Sequence, residues 1–192
     1  MSTTQPIRDK ELLQNFKTYY LTQAPHPRNY TLIMLGLNTA LRINDILHLT
    51  WEMVYNQDSH QFRTHIQLKE QKTGKENRIF INQETKKTLQ YYWNCTDTAH
   101  KGYIFKGSQA SVNPLSRFQA YRIIRHAAEE IGLEDVIRCH SLRKTFGYHA
   151  WKQGTPPALL MNIYNHSSYQ ITKHYLCIEQ DDKDEVFCNI QL

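Results

Sequence analysis

Cysteine is scarce in this sequence, four in 192 residues, and Cys95, Cys139, Cys177 and Cys188 form no Cys-x-x-Cys pair and no grouping with histidine at metal-ligand spacing. That speaks against a metal site and for free thiols in a reducing cytosol. No Pro/Gly/Ser-rich linker divides the chain, which argues against two separately patterned halves and leaves one compact domain as the reading. No signal peptide is evident and no apolar run is long enough to cross a bilayer, so no membrane role is expected. A chain of this length buries about 70% of its unfolded surface on folding, and its core needs neither disulfide nor metal as a staple.

What is present is positive charge. Lys and Arg number 23 against 18 acidic residues, a formal net charge of +5, and ten histidines add to it at mildly acid pH. Such an excess suits a polyanionic partner, because neutralised phosphates release counterions. Taken alone, the same residues suit an ordinary solvated surface.

Hydrophobic periodicity predicts helices over 9–22, from after Pro27 through YTLIMLGLNTALR to Arg42, and as a short turn over Asn44 to Leu47. A two-residue period follows in WEMVY, FRTHIQLKE and ENRIFI, broken by NQDSH and QKTGK. Thr64, Ile66 and Leu68 alternate there with Arg63, His65, Gln67 and Lys69, which predicts a three-stranded antiparallel meander with one wet face. Lys72 and Lys75 fall in its second turn. Helical patterns then cover 83–94, 114–131 (entered by Asn113 and Pro114), 140–153, 156–164, 168–178 and 182–191. The fold class is α+β, mostly helical, with a small sheet in its first third.

The candidate chemistry is densest in the last third: His140 and Arg143 in HSLRKTFGYH, His166 in YNHSS and Tyr175 in TKHYL. On a helix His140 and Arg143 share a face, and Gly147 continues it, where a missing side chain would let a DNA backbone come close. Any one of these residues is most simply a solvated or core-edge side chain. The ordered set says more. Arg42 in ALRINDIL after an apolar helix, Lys72 between two strands, His140-x-x-Arg143 on a late helix, His166 and then Tyr175 together resemble the tyrosine recombinase (phage integrase) family over about the whole chain.

The resemblance implies a recombinase-type catalytic domain over 26–192, preceded by a helical extension over 1–25. It further implies a site-specific DNA recombinase whose active site is Arg42, Lys72, His140, Arg143, His166 and Tyr175, supported from behind by Asp45. In that scheme Tyr175 attacks a phosphodiester to give a 3′-phosphotyrosine that strand exchange resolves, without metal, ATP or other cofactor. His140 or a water takes the phenol's proton, the two arginines clamp the phosphate, and Lys72, with Lys75 as its rival, protonates the leaving oxygen.

Two departures stand out. Relatives often place Leu-Gly before the histidine matching His166, where this chain has Tyr164 and Asn165, and asparagine tolerates the left-handed backbone such a turn needs. Only about 25 residues precede the catalytic region, so the chain is similar to the short fimbrial phase-variation recombinases or is a fragment of a longer relative.

The expected partner is double-stranded DNA with inverted-repeat core sites, with possible accessory DNA-bending proteins, on the nucleoid in the cytoplasm. Ser116 and Arg117, in the first turn of the 114–131 helix, are candidate phosphate contacts beside Lys75. The tail stripe of Val186, Phe187 and Ile190 is expected to join a DNA-bound tetramer or to pack on its own domain. Two rival activities are a catalytically silent DNA-binding regulator of the same fold and type IB topoisomerase-like relaxation.

Overall fold

The computed structural model describes residues 4–96, 100–107 and 112–190, apart from the side chains of residues 179, 182, 185 and 186. Residues 4–8 form an extended strap. Helix α1 (Lys10–Thr22) then opens on Asp9, whose carboxylate accepts from the Leu12 N–H, and it buries Phe16, Tyr19 and Tyr20. Those side chains join one core with α2 (Pro27–Thr39), which is buried nearly all round. Proline at its first position starts α2, and Ala40 in the left-handed region (φ 53, ψ 14) ends it. The helix predicted to reach Arg42 therefore stops three residues short, and Arg42 becomes the N-cap of α3 (Ile43–Leu47).

The predicted meander is instead two separate two-stranded antiparallel ladders. WEMV is a helical turn, α4 (Trp51–Val54), because its two buried side chains, Trp51 and Val54, are three apart and share a face in a helix rather than in a strand. What remains pairs as β1 (Tyr55–Asn56) with β2 (Gln61–Phe62). The second ladder joins β3 (His65–Lys69) to β4 (Glu76–Phe80) in the register Ile66 opposite Ile79 and Leu68 opposite Asn77. Its alternation holds from Ile66 onward, with Ile66 buried, Leu68 half-buried, and Gln67 and Lys69 exposed, whereas Thr64, expected on the dry face, precedes the strand and is exposed, and His65, expected on the wet face, is half-buried.

Helix α5 (Gln83–Asn94) is capped by Asn82. The next helix, α6 (Arg117–Glu130), starts three residues later than predicted. Its cap is Ser116, which exchanges hydrogen bonds with Gln119 in a capping box, while Pro114 pairs with Lys106 in an isolated bridge. There follow α7 (Cys139–Lys152), α8 (Pro157–Tyr164), α9 (Tyr169–Leu176) and α10 (Glu179–Asn189). Helix α7 lies against α2, α6, α8 and α9. No helix among the described residues is long and apolar enough to cross a membrane.

A second, smaller core collects Ala40, Tyr148, Leu160, Tyr164, Leu176 and Ile178 under α7, α8 and α9. Gly147 makes it possible. A Cβ there would overlap the Tyr164 hydroxyl and Leu176, so Gly147 admits the protein's own side chains and not, as its place on the helix suggested, a DNA backbone. We predict that Gly147→Ala destabilises the protein by about 1 to 3 kcal/mol through overpacking, read as a lower urea midpoint with an unchanged slope.

Candidate active site

Arg143 is at the centre of the site. Its side chain sits beneath α7, 3% exposed, and its Nη1 donates to the carbonyl of Ala40, the left-handed residue that closes α2. Its guanidinium carbon stands 4.5 Å from the centroid of the Tyr164 ring, and the Tyr164 hydroxyl donates to Arg143's own carbonyl at 2.7 Å. Burial lowers its pKa, and Arg42 pushes the same way against Tyr175, Tyr164 and Glu70, yet a guanidinium remains charged throughout the range in which proteins fold. Two residues beyond Ala40, Arg42 leaves the chain, and its Nη1 donates to Glu70 Oε2 at 2.6 Å. The interaction that ends α2 thus also brings the two arginines together.

Tyr175 approaches from α9. Its ring centroid lies 5.3 Å from that of His166, edge to face, and 5.4 Å from that of Tyr164. Burial pushes its phenol above the ordinary value, against the charges of Arg143 and Arg42 and a hydrogen-bonding contact with Arg143. His166 follows Asn165, which adopts the left-handed conformation expected of it (φ 55, ψ 42), and its Nδ1 meets Thr172 Oγ1 at 3.0 Å. Burial lowers the His166 pKa, and the charges of Arg143 and Arg42 lower it further. His140 is exposed in the first turn of α7. Desolvation from the groups crowding its ring lowers its pKa, followed by Arg117, Lys144, Arg143 and Lys72. Both imidazoles are therefore neutral at neutral pH.

The β3–β4 turn forms the remaining wall. Lys72 is exposed at its tip, within the electrostatic reach of His140, while Lys75 Nζ lies 3.4 Å from Asn165 Oδ1, beside His166. Asp45, 4% exposed, uses Oδ1 to accept from the Gln71 N–H at 2.9 Å, and its buried Oδ2 has no hydrogen-bond partner. It anchors the turn to α3. Arg117 begins α6 on the His140 side, and the hydroxyl of Ser116 is engaged in its capping box. Phe187 on α10 and Ile190 just beyond its end are 79% and 55% exposed, so their own domain does not cover them; the Val186 side chain lies outside the described residues.

Three neighbours went unread in the sequence. Glu70 is 1% exposed and continues the dry-face series of Ile66 and Leu68, so an acid in phase with that series was its signal. Tyr164 occupies a position where relatives often carry leucine, and its aromatic ring was the clue. Lys144, 1% exposed, donates to the Thr4 carbonyl at 2.6 Å and to Cys177 Sγ at 3.2 Å, with Nζ 5.4 Å from the Tyr175 ring centroid; nothing in its sequence context distinguished it.

Two guanidiniums, the His166 imidazole and the Tyr175 phenol are thus gathered in one place, with His140 and two lysines at its edge, on a fold that matches those of tyrosine recombinases. The chain belongs to the phage integrase family, whose family model it matches over residues 8–181. It is 42% identical over 181 residues to the probable integrase/recombinase YoeC of Bacillus subtilis, covering 94% of this chain and 93% of that protein. It is 27% identical over 155 residues to the type 1 fimbriae regulatory protein FimE of Escherichia coli K12, covering 77% and 73%. Its fold matches the crystal structure of XerA recombinase with a TM-score of 0.76 at 18% identity, over 99% of this chain and 68% of that one.

The lowered histidine pKa values carry a sign. With folded values below the ordinary 6.5, the unfolded chain binds more protons just below that pH, so stability is full above it and falls as pH drops through the window beneath it. We predict that the His140 and His166 ring resonances titrate below the free-histidine value in NMR, and that the urea midpoint falls as the pH is lowered through that value, less steeply in His166→Gln.

Proposed function

We propose that this protein is a site-specific DNA recombinase that cleaves and rejoins strands through Tyr175. The observation that carries the proposal is the phenol of Tyr175 held among Arg143, Arg42 and His166, where a weak nucleophile meets the charge that a phosphodiester needs. The Tyr175 oxygen forms the new bond to phosphorus and the bond to the 5′ oxygen breaks. His140, or a water, takes the phenol's proton, as a neutral imidazole with a lowered pKa is able to do. Arg42 and Arg143 bind the non-bridging oxygens as they gain charge. Lys72 or Lys75 returns a proton to the departing 5′ oxygen, and the proximity of Lys75 to Asn165 keeps it a full rival of Lys72. The 3′-phosphotyrosine conserves the ester's energy, so a 5′ hydroxyl from another strand reverses the step and is joined without ATP.

Residues 26–192 carry this chemistry in our reading, with the first 25 as an extension of the same unit. The partner is duplex DNA with inverted-repeat core sites, and Lys75, Ser116 and Arg117 contribute phosphate contacts, Ser116 through its hydroxyl hydrogen, because its N–H is donated to Gln119 and its Oγ accepts from the Gln119 N–H. The uncovered Phe187 and Ile190 suit a tail that docks on a second copy and builds a tetramer on DNA.

On a nicked core-site substrate we predict a covalent protein–DNA band in denaturing gels, unaffected by chelator and absent in Tyr175→Phe. A band that persists in that variant ends the proposal. Arg143→Lys lowers the single-turnover cleavage rate by about 100- to 1000-fold, the usual cost of a lost donor to a developing oxyanion.

A further inference from the structure

Glu70 is an anion in a site built to receive one. Its side chain is 0% exposed, and both carboxylate oxygens are used: Oε2 accepts from Arg42 Nη1 at 2.6 Å and from Thr73 Oγ1 at 2.8 Å, and Oε1 from Asn77 Nδ2 at 3.1 Å. Its backbone closes the turn, with the Glu70 N–H donating to the Lys75 carbonyl and the Glu70 carbonyl accepting from Gly74. Burial alone would raise its pKa, but hydrogen bonds from Thr73 and Arg42, the charge of Arg42 and a hydrogen bond from Asn77 outweigh it, so the group is ionised.

A carboxylate this close to a phosphate-binding arginine would appear to be a competitor. The geometry says otherwise. Among the described residues only Nη1 of Arg42 is engaged, and a guanidinium has five N–H donors in a fixed fork, so the remaining edge is presented to a ligand and held in one orientation. Arg42 is otherwise a long side chain on the N-cap of a five-residue helix, with nothing else in its own element to restrain it. The same oxygen takes the Thr73 hydroxyl, adjacent in sequence to Lys72. Glu70 also sets a negative charge beside two arginines that repel each other.

We propose that Glu70 is a positioning residue for strand cleavage, holding the Arg42 guanidinium and the Lys72 turn as one unit against the attacked phosphate. This rests on the recombinase reading. A loss of Glu70 should then act on two separable parts of the reaction: charge stabilisation through Arg42 and leaving-group protonation through the turn. A carboxylate that merely stabilised the hairpin would leave the rate of the folded protein unchanged.

The test uses the full chain and two substrates, an ordinary nicked core site and one in which sulfur replaces the 5′ bridging oxygen, since a thiolate leaves without needing a proton. Wild type is required to form the Tyr175-dependent adduct; its failure would overturn the recombinase reading itself. Given that adduct, Glu70→Gln is expected to bind DNA at least as tightly as wild type and to cleave the ordinary site about 10- to 100-fold more slowly, the scale of a misplaced catalytic group. The sulfur substrate should recover part of that loss, and Glu70→Gln combined with Arg42→Lys should be no slower on it than Arg42→Lys alone. Cleavage by Glu70→Gln at the wild-type rate, or a loss equal on both substrates and multiplicative with Arg42→Lys, would overturn the proposal. Thr73→Val, a change at an exposed residue, covers the case in which Glu70→Gln does not fold. It should be slow on the oxygen substrate and restored on sulfur, and a wild-type rate on oxygen would equally refute the inference.

Discussion

A cation without an anion governs this architecture. Arg143 is buried, and no carboxylate among the described residues lies within ion-pairing distance of it. Removing such a charge from water costs several kcal/mol even after relaxation. The Ala40 carbonyl and the face of the Tyr164 ring offset part of that cost, a desolvated cation over a ring contributing about 2 kcal/mol. Each compensation fixes backbone. Ala40 must turn left-handed to end α2, and Gly147 must lack a side chain for Tyr164 to slide beneath α7. The secondary core under α7, α8 and α9 is therefore arranged around a guanidinium whose charge is only partly satisfied, which is the condition for strong attraction of a phosphate in a low-dielectric cleft.

Placing a second arginine beside the first raises the electrostatic cost and explains why acids appear where they do. Glu70 pairs with the more exposed arginine, Arg42, and leaves the buried one unpaired. Asp45 spends its one bonded oxygen on the Gln71 N–H and so fixes the β3–β4 turn to α3. Two carboxylates fix the hairpin where β3 enters its turn, Glu70 from within it and Asp45 through the Gln71 N–H, and the turn presents both lysines. The division is consistent in physical terms: an acid bonded directly to Arg143 would stabilise the resting protein and would compete with the substrate for the same donors.

The sequence made legible what depends on period and spacing. Helix positions over 9–22 and 83–94, the wet and dry faces of β3, the left-handed Asn165 and the gathering of arginines, histidines and Tyr175 all follow from local pattern or ordered motif. What it concealed depends on tertiary compensation. WEMVY reads as a strand until Trp51 and Val54 are required to share a face. The α2 pattern runs on to Arg42, since Ala40 shows its left-handed turn only when Arg143 is present to bind its carbonyl. Gly147 reads as an opening toward a ligand, and only the packing of Tyr164 and Leu176 shows it to be filled from within. Glu70 was hidden by its type, because an acid at a strand's end is ordinarily solvated.

The strap over residues 4–8 carried no periodic signal, yet it reaches across the molecule to the end of α9. Ile7, 1% exposed, fixes it by donating its N–H to Thr145 Oγ1 and accepting at its carbonyl from His149, while the Thr4 carbonyl accepts from Lys144. Arg8 then reaches the other terminus, donating Nη2 to the Cys177 carbonyl at 2.9 Å and Nε to Asp181 at 3.4 Å. Cys177 is the left-handed residue that stops α9 two positions after Tyr175. Lys144 bonds Cys177 through sulfur and Arg8 bonds it through oxygen, so two cations grip the turn from opposite ends of its side chain and backbone. The end of α9 is thereby held by the strap as well as by its own cap, in which the Cys177 and Ile178 N–H groups donate to the His174 and Lys173 carbonyls. A change in the strap should accordingly be felt at Tyr175 and at the start of α10 together, although more than 160 positions separate the strap from Tyr175 in the sequence.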